Sequence, residues 1–267
     1  MAPDIAIEQA IRRAAAGGAP ALVGFLTAGF PDREGFGARL VALSEAADIV
    51  EVGVPFSDPM ADGATIQRAS RVALEQGVTL AWILEELIRL RGSLRAPVLL
   101  MSYLNPLLAI GLRRLPRAAL KAGVSGFIVP DLPWEECAEL REALNREDIA
   151  LVQMVTPVTP PARLATLARA SQGFVYAVTA TGTTGGDVAV PEATLACLDR
   201  VRAAAMVPVC AGFGIRSIAQ VALLAGHADG VIVGSALVET IEAGRDASDM
   251  LRALRVATTA SEASPTC

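Results

Sequence analysis

Eight short apolar runs of strand length recur along the chain, at residues 21–27, 49–52, 98–101, 126–129, 150–155, 174–178, 208–211 and 230–233, and material of helical periodicity lies between most of them. Runs that are apolar throughout, instead of alternating with polar residues, belong to strands buried on both faces. Strands joined through helices run parallel. About eight such repeats in 267 residues are what a closed parallel barrel requires. The expected fold is therefore α/β, a single (β/α)8 barrel over residues 1–258. An extra amphipathic helix at 4–16 precedes it, a short extra helix follows strand 8 directly, and 259–267 form a small, polar, flexible tail. A doubly wound open sheet is the alternative. It predicts Gly-x-Gly-x-x-Gly after the first strand, and that motif is missing.

The connections carry further expectations. Residues 65–74, 79–90 and 161–170 read as helices, as does the region near 112–122. Residues 102–106, with Asn105 and Pro106, read as irregular, and Asp131 to Glu136 as a helix start with acids at the positive end of its dipole. The longest apolar stretch, 98–112, is broken by Ser102, Asn105 and Pro106 and is shorter than the ~20 residues of a membrane span. A formal charge of -5 leaves no basic field for nucleic acid. Cys137, Cys197, Cys210 and Cys267 lack metal-ligand spacing, and Met1-Ala2-Pro3-Asp4 does not begin a secretory signal, so free thiols and a cytoplasmic location are expected.

In a parallel barrel the working residues gather on loops at the carboxyl ends of the strands. The second such loop is acidic: Glu51 sits in or at the end of its strand, and Asp58 and Asp62 lie in the loop that follows, where Gly53, Pro55 and Pro59 forbid regular structure. A buried carboxylate in a strand is costly unless it is used or paired, so Glu51 is either a reacting group or the partner of a buried Arg. The later loops are rich in glycine. Residues 179–187 form a long polar connection suited to a lid, while 211–217 and 233–236 offer backbone N–H groups that can surround a phosphate. His227, the only histidine, precedes strand 8 at the opposite rim, and Lys121 lies in a helix. Histidine triads and Schiff-base chemistry are disfavoured, which leaves acid–base work to carboxylates, assisted by Tyr103 or Tyr176. Tyr176 reads equally well as a core residue.

These residues also carry a family resemblance. Phe25-Leu26-Thr27-Ala28-Gly29, Glu51-Val52-Gly53-Val54-Pro55-Phe56-Ser57-Asp58-Pro59, Ala61-Asp62-Gly63, Pro130-Asp131-Leu132-Pro133, Gly212-Phe213-Gly214-Ile215 and Gly234-Ser235-Ala236 closely resemble the α subunits of tryptophan synthase, in family order over nearly the whole chain. The resemblance implies a TIM barrel that cleaves indole-3-glycerol phosphate to indole and glyceraldehyde 3-phosphate in tryptophan biosynthesis, with no metal or organic cofactor of its own. It implies Glu51 and Asp62 as the catalytic acids, Leu100, Tyr176 and Phe213 as the indole pocket, and Gly185, Gly214, Gly234 and Ser235 as the phosphate site. Thr184 matches the threonine used in loop closure. The same resemblance implies an α2β2 heterotetramer in which PLP belongs to the β subunit.

Gly182-Thr183-Thr184-Gly185 departs from the family's Gly-Val-Thr-Gly, and Gln153 stands where an apolar residue is expected. Pro55, Phe56, Pro59, Leu104, Pro106 and Leu107 are expected to form an apolar rim for the partner. Asp58 is expected either to couple the partner to the long loop or to cap its own turn. Two other readings stay open: a catalytically silent phosphate-binding subunit that activates a partner, and a lyase that releases indole without one.

Overall fold

The computed structural model describes residues 3–179, 190–212 and 214–260. Eight parallel strands close into a barrel in chain order: β1 (Ala21–Thr27), β2 (Ile49–Gly53), β3 (Val98–Met101), β4 (Val124–Ile128), β5 (Ala150–Val155), β6 (Val175–Val178), β7 (Val209–Gly212) and β8 (Gly230–Val233). β8 pairs with β1, Val23 lying opposite Ile232, and this closure removes both sheet edges. The helices around it are α1 (Pro3–Ala16), α2 (Arg33–Ala46), α3 (Ala64–Glu75), α4 (Leu80–Leu90), α5 (Leu104–Ile110), α6 (Leu115–Ala122), α7 (Ala138–Asn145), α8 (Pro161–Ala170), α9 (Glu192–Ala204), α10 (Ile218–Leu224), α11 (Ser235–Glu242) and α12 (Ala247–Ala260).

Two apolar clusters follow from the two faces of the strands. The inner one joins Val23, Ile49, Leu99, Ile128, Val152 and Phe174 to Ile7 and Ile11 of α1. The amphipathic helix expected at the amino terminus therefore plugs the barrel, placed by two fully buried isoleucines one turn apart. The outer cluster packs Leu22, Val50, Val52, Leu100 and Phe127 against the helices. The short helix expected after strand 8 is α11. α12 then covers β1 and is tied back by Arg255, whose Nη2 donates to Asp48 Oδ2 at 2.8 Å and to the Ala46 carbonyl at 3.1 Å.

Three local expectations are corrected. The stretch with Asn105 and Pro106 is helical: Asp131 Oδ1 accepts the Leu104 N–H at 2.9 Å, and Pro106 falls in the first turn of α5, where a missing N–H costs no helical bond. The cap comes from another loop, so local sequence could not reveal it. The next helix starts only at Leu115, after Gly111 ends α5 at φ 89°. α12 runs to Ala260, so Thr259 belongs to a helix; residues 261–267 lie outside the described residues.

Candidate active site

β2 delivers Glu51 to the barrel interior, opposite Phe25 of β1 and Leu99 of β3. Its side chain is buried at 1% exposure, and Oε2 makes no hydrogen bond. Among the described residues no arginine pairs with it, which decides against the ion-pair alternative. Burial, followed by the charge of Asp62, pushes the Glu51 carboxyl up to about 8. Thr27, at the end of β1 and opposite Gly53, contributes a second buried and unpaired oxygen. Sequence reasoning treated Thr27 only as part of a motif, yet an unsatisfied buried hydroxyl at a strand end is an unused binding group.

Asp62 comes from the loop after β2. Its backbone is held at both ends: its N–H donates to the Pro59 carbonyl at 3.1 Å, and its carbonyl accepts from Gln67 Nε2 at 2.8 Å. Tyr103 anchors the same loop. Its buried ring stacks on Phe56 with centroids 5.1 Å apart, and its hydroxyl accepts the Ala61 N–H at 2.9 Å and bonds the Asp62 side chain. Burial pushes Asp62 up to about 6, against the lowering effect of the Tyr103 bond. Two carboxyls at one mouth are thus separated in acidity, Glu51 protonated and Asp62 ionised at neutral pH.

Tyr176 of β6 is buried and feels the charges of both acids, so it stays a neutral phenol. Its ring lies over Gly212: a Cβ there would sit 2.5 Å from the phenolic oxygen. Across the barrel Phe25 lies over Gly53 in the same way, a Cβ falling 2.5 Å from Cζ. Glycine at these two strand ends leaves room for two aromatic walls, one of which, Phe25, sequence reasoning did not assign.

Leu100 is a correction. It pairs with Val52 and Phe127 on the outer face of β3 and packs in the outer cluster, whereas Leu99 belongs to the inner one. Side chains alternate along a strand, so Met101, partly exposed and packed against the inner cluster, takes the position beside the mouth. Gln153 is likewise an outward residue of β5, buried between that strand and the outer layer, and Ser171 Oγ accepts its N–H at 2.8 Å.

At the far side of the mouth, Gly214 follows β7 with φ 78°, Gly234 caps α11 without a side chain, and Ser235 opens that helix. In the first turn of α11 Leu237 already donates its N–H to the Gly234 carbonyl at 2.9 Å, while the N–H groups of Ser235 and Ala236 have no intrahelical acceptor. Arg216 does not complete this group, because Glu239 engages its guanidinium in a bidentate pair. Gly185, Thr184 and Phe213 lie outside the described residues. Asp58 is exposed on the acidic loop and accepts from Ser57 Oγ at 2.5 Å. His227 precedes β8 at the opposite rim, paired with Asp199 at 2.8 Å. Among the described residues no cluster of His, Cys, Asp or Glu could hold a metal ion, and no helix is long and apolar enough to cross a membrane.

The expected apolar rim is redistributed. Pro55 and Leu107 are buried, while Met60 (85% exposed), Leu108 (49%) and Val158 (77%) present apolar surface from the connections after β2, β3 and β5.

Known proteins resemble this chain in sequence and fold. The chain is similar to the tryptophan synthase alpha chain of Nitratidesulfovibrio vulgaris, 47% identical over 248 residues that cover 92% of this chain and 96% of that one. Among solved structures it is similar to tryptophan synthase of Mycobacterium tuberculosis, with a TM-score of 0.86, 38% identity and coverage of 95% and 96%. The alpha subunit of Legionella pneumophila superposes with a TM-score of 0.85 at 30% identity, covering 95% of this chain and 98% of that one. The family model described as tryptophan synthase alpha chain matches residues 11–264, and the chain belongs to that family.

Proposed function

We propose that this chain is a carbon–carbon lyase that cleaves indole-3-glycerol phosphate to indole and glyceraldehyde 3-phosphate, Glu51 and Asp62 carrying the proton transfers. The observation that carries this reading is the split acidity of the two carboxyls. Asp62, ionised near neutrality and held by Tyr103, accepts the indole N–H proton as the ring begins to lose aromaticity. Glu51, still protonated, delivers its proton to the ring carbon that becomes the leaving group. The resulting carboxylate then takes the proton of the glycerol hydroxyl as its carbon becomes a carbonyl. The carbon–carbon bond breaks as the carbonyl forms, its electron pair restores the aromatic ring, and Asp62 returns its proton to the ring nitrogen; one proton has entered the ring carbon and one has left the hydroxyl, so both acids end in their starting states.

Phe25, Met101 and Tyr176 form the apolar walls for the indole ring, and Gly214, Gly234 and Ser235 bind the phosphate through backbone N–H groups and one hydroxyl. The resemblance adds Phe213 and Gly185 to those two groups and Thr184 to loop closure. No cofactor is needed in this scheme, because the indole ring itself stores the electrons during cleavage. The reading includes a cytoplasmic chain, a single domain, and docking of a PLP-dependent β subunit on the rim that carries Met60, Leu108 and Val158.

The test is indole release from indole-3-glycerol phosphate by the purified chain, with and without a tryptophan synthase β subunit. Glu51→Gln and Asp62→Asn should each lose at least about 10²-fold in turnover while retaining affinity for glycerol 3-phosphate. A variant with near-normal release would remove its residue from the chemistry.

A further inference from the structure

One carboxylate ties the segment that carries Asp62 to the segments that carry the phosphate glycines. Glu239 stands on α11 one helical turn beyond Ser235. Its Oε2 accepts from Arg216 Nη1 at 2.5 Å, and its Oε1 accepts from Arg216 Nη2 at 3.0 Å and from Thr65 Oγ1 at 3.0 Å. Arg216 lies two residues beyond Gly214, and Thr65 three residues beyond Asp62, in the first turn of α3. That turn begins at Gly63, which supplies no side-chain cap, so the bond to Glu239 joins the one from Gln67 Nε2 to the Asp62 carbonyl in holding this helix start. One turn further on, Arg68 and Glu242 repeat the link between α3 and α11 at 3.0 Å.

An isolated surface ion pair contributes little, but a bidentate pair whose oxygen also accepts from a third segment has a defined geometry that transmits displacement. Arg216 holds the carboxyl of Glu239 below the usual range, so the acceptor is ionised throughout the working pH of the site. We infer that Glu239 is a positioning residue that couples occupation of the phosphate site to the placement of Asp62. This inference rests on the assignment of Gly214, Gly234 and Ser235 to phosphate. A phosphate bound on the first turn of α11 fixes that helix against the loop of Arg216, and Glu239 passes the constraint through Thr65 to the backbone that follows Asp62. The coupling is reciprocal: what orders residues 61–65 also tightens phosphate binding.

Amide hydrogen exchange with glycerol 3-phosphate as the probe reads this coupling without any turnover. In the wild-type chain glycerol 3-phosphate should slow exchange at residues 61–65. Thr65→Val, which leaves the Arg216–Glu239 pair intact, should abolish that protection and lower kcat with little change in KM. Glu239→Gln should in addition weaken glycerol 3-phosphate by about fivefold. If Glu239→Gln does not fold, Thr65→Val carries the test alone. Wild-type protection without any change in Thr65→Val, or no protection in a wild-type chain that binds glycerol 3-phosphate, would overturn the inference. Indole release by the wild type, measured alongside, tests the proposed function separately, because a chain that shows the coupling but releases no indole would sink the activity and leave the coupling standing.

Discussion

Glu51 and Asp62 differ in the way they are buried, and the difference sets their titration. With acidities of about 8 and about 6, the pair predicts a bell-shaped pH dependence of kcat/KM whose apparent limbs fall near those values, belonging to the coupled pair. Tyr103→Phe removes the bond that holds Asp62 down, so the acid limb should move to higher pH while the alkaline limb stays. A pH–rate profile that keeps both limbs would show that Tyr103 acts on the loop alone. Glu51 also has a consequence for stability. Its folded acidity of about 8 exceeds the ordinary 4.5, so between those values the native chain holds a proton that the unfolded chain has lost. Stability contributed at low pH is therefore lost as pH rises through that window, by up to about 1.4 kcal/mol per pH unit. Glu51→Gln should flatten this dependence and melt above the wild type near the alkaline end, and melting curves of the two chains across the window check it.

At the scale of elements, the ends of β2 and β7 are glycine because the neighbouring strands lay aromatic rings over them. Gly53→Ala places a Cβ against the Phe25 ring and must displace it, at a cost of about 1–3 kcal/mol in stability, with a raised KM for indole-3-glycerol phosphate as the wall shifts. Chemical denaturation together with steady-state kinetics would detect both, and an unchanged KM would take Phe25 out of the pocket. α11 makes the opposite case. A Cβ at Gly234 meets nothing closer than Phe25 Cβ at 3.8 Å, so Gly234→Asp should fold. Its charge would nevertheless oppose a dianion at the same N–H groups, and calorimetry should find glycerol 3-phosphate binding abolished. Retained affinity would move the phosphate elsewhere.

For the whole molecule, the exposed apolar side chains of the carboxyl-terminal rim are the feature that a solitary barrel does not explain. Met60 extends from the loop that also holds Asp62, and Leu108 from α5, whose cap position is Tyr103, so a partner seated there would order the catalytic loop as it binds. Leu108→Glu should weaken assembly with the β subunit by about tenfold or more, the range of an interface anchor, and leave indole release by the free chain unchanged. Sedimentation of the mixture with and without glycerol 3-phosphate checks both the affinity and its linkage to the phosphate site. No complex in either condition, with full activity of the chain alone, would favour a lyase that works unpartnered.

Much of this molecule was determined by the sequence itself. Eight strands and their order follow from eight apolar runs that only burial on both faces can accommodate, and β1, β3, β5 and β8 begin and end where those runs do. Glu51 and Asp62 were also legible, because a carboxylate in an apolar strand and an acidic loop after it are local patterns. What the tertiary structure alone decided depends on neighbours distant in the chain. The irregular stretch at Pro106 became a helix because Asp131 caps it from the following loop. Leu100 left the pocket for Met101 because the face of a four-residue strand is set by its register with β2 and β4. Phe25 became a wall because Gly53, on another strand, makes room for its ring, and Glu239 became a hub because closing the barrel brings α11 beside α3, 174 residues away in sequence.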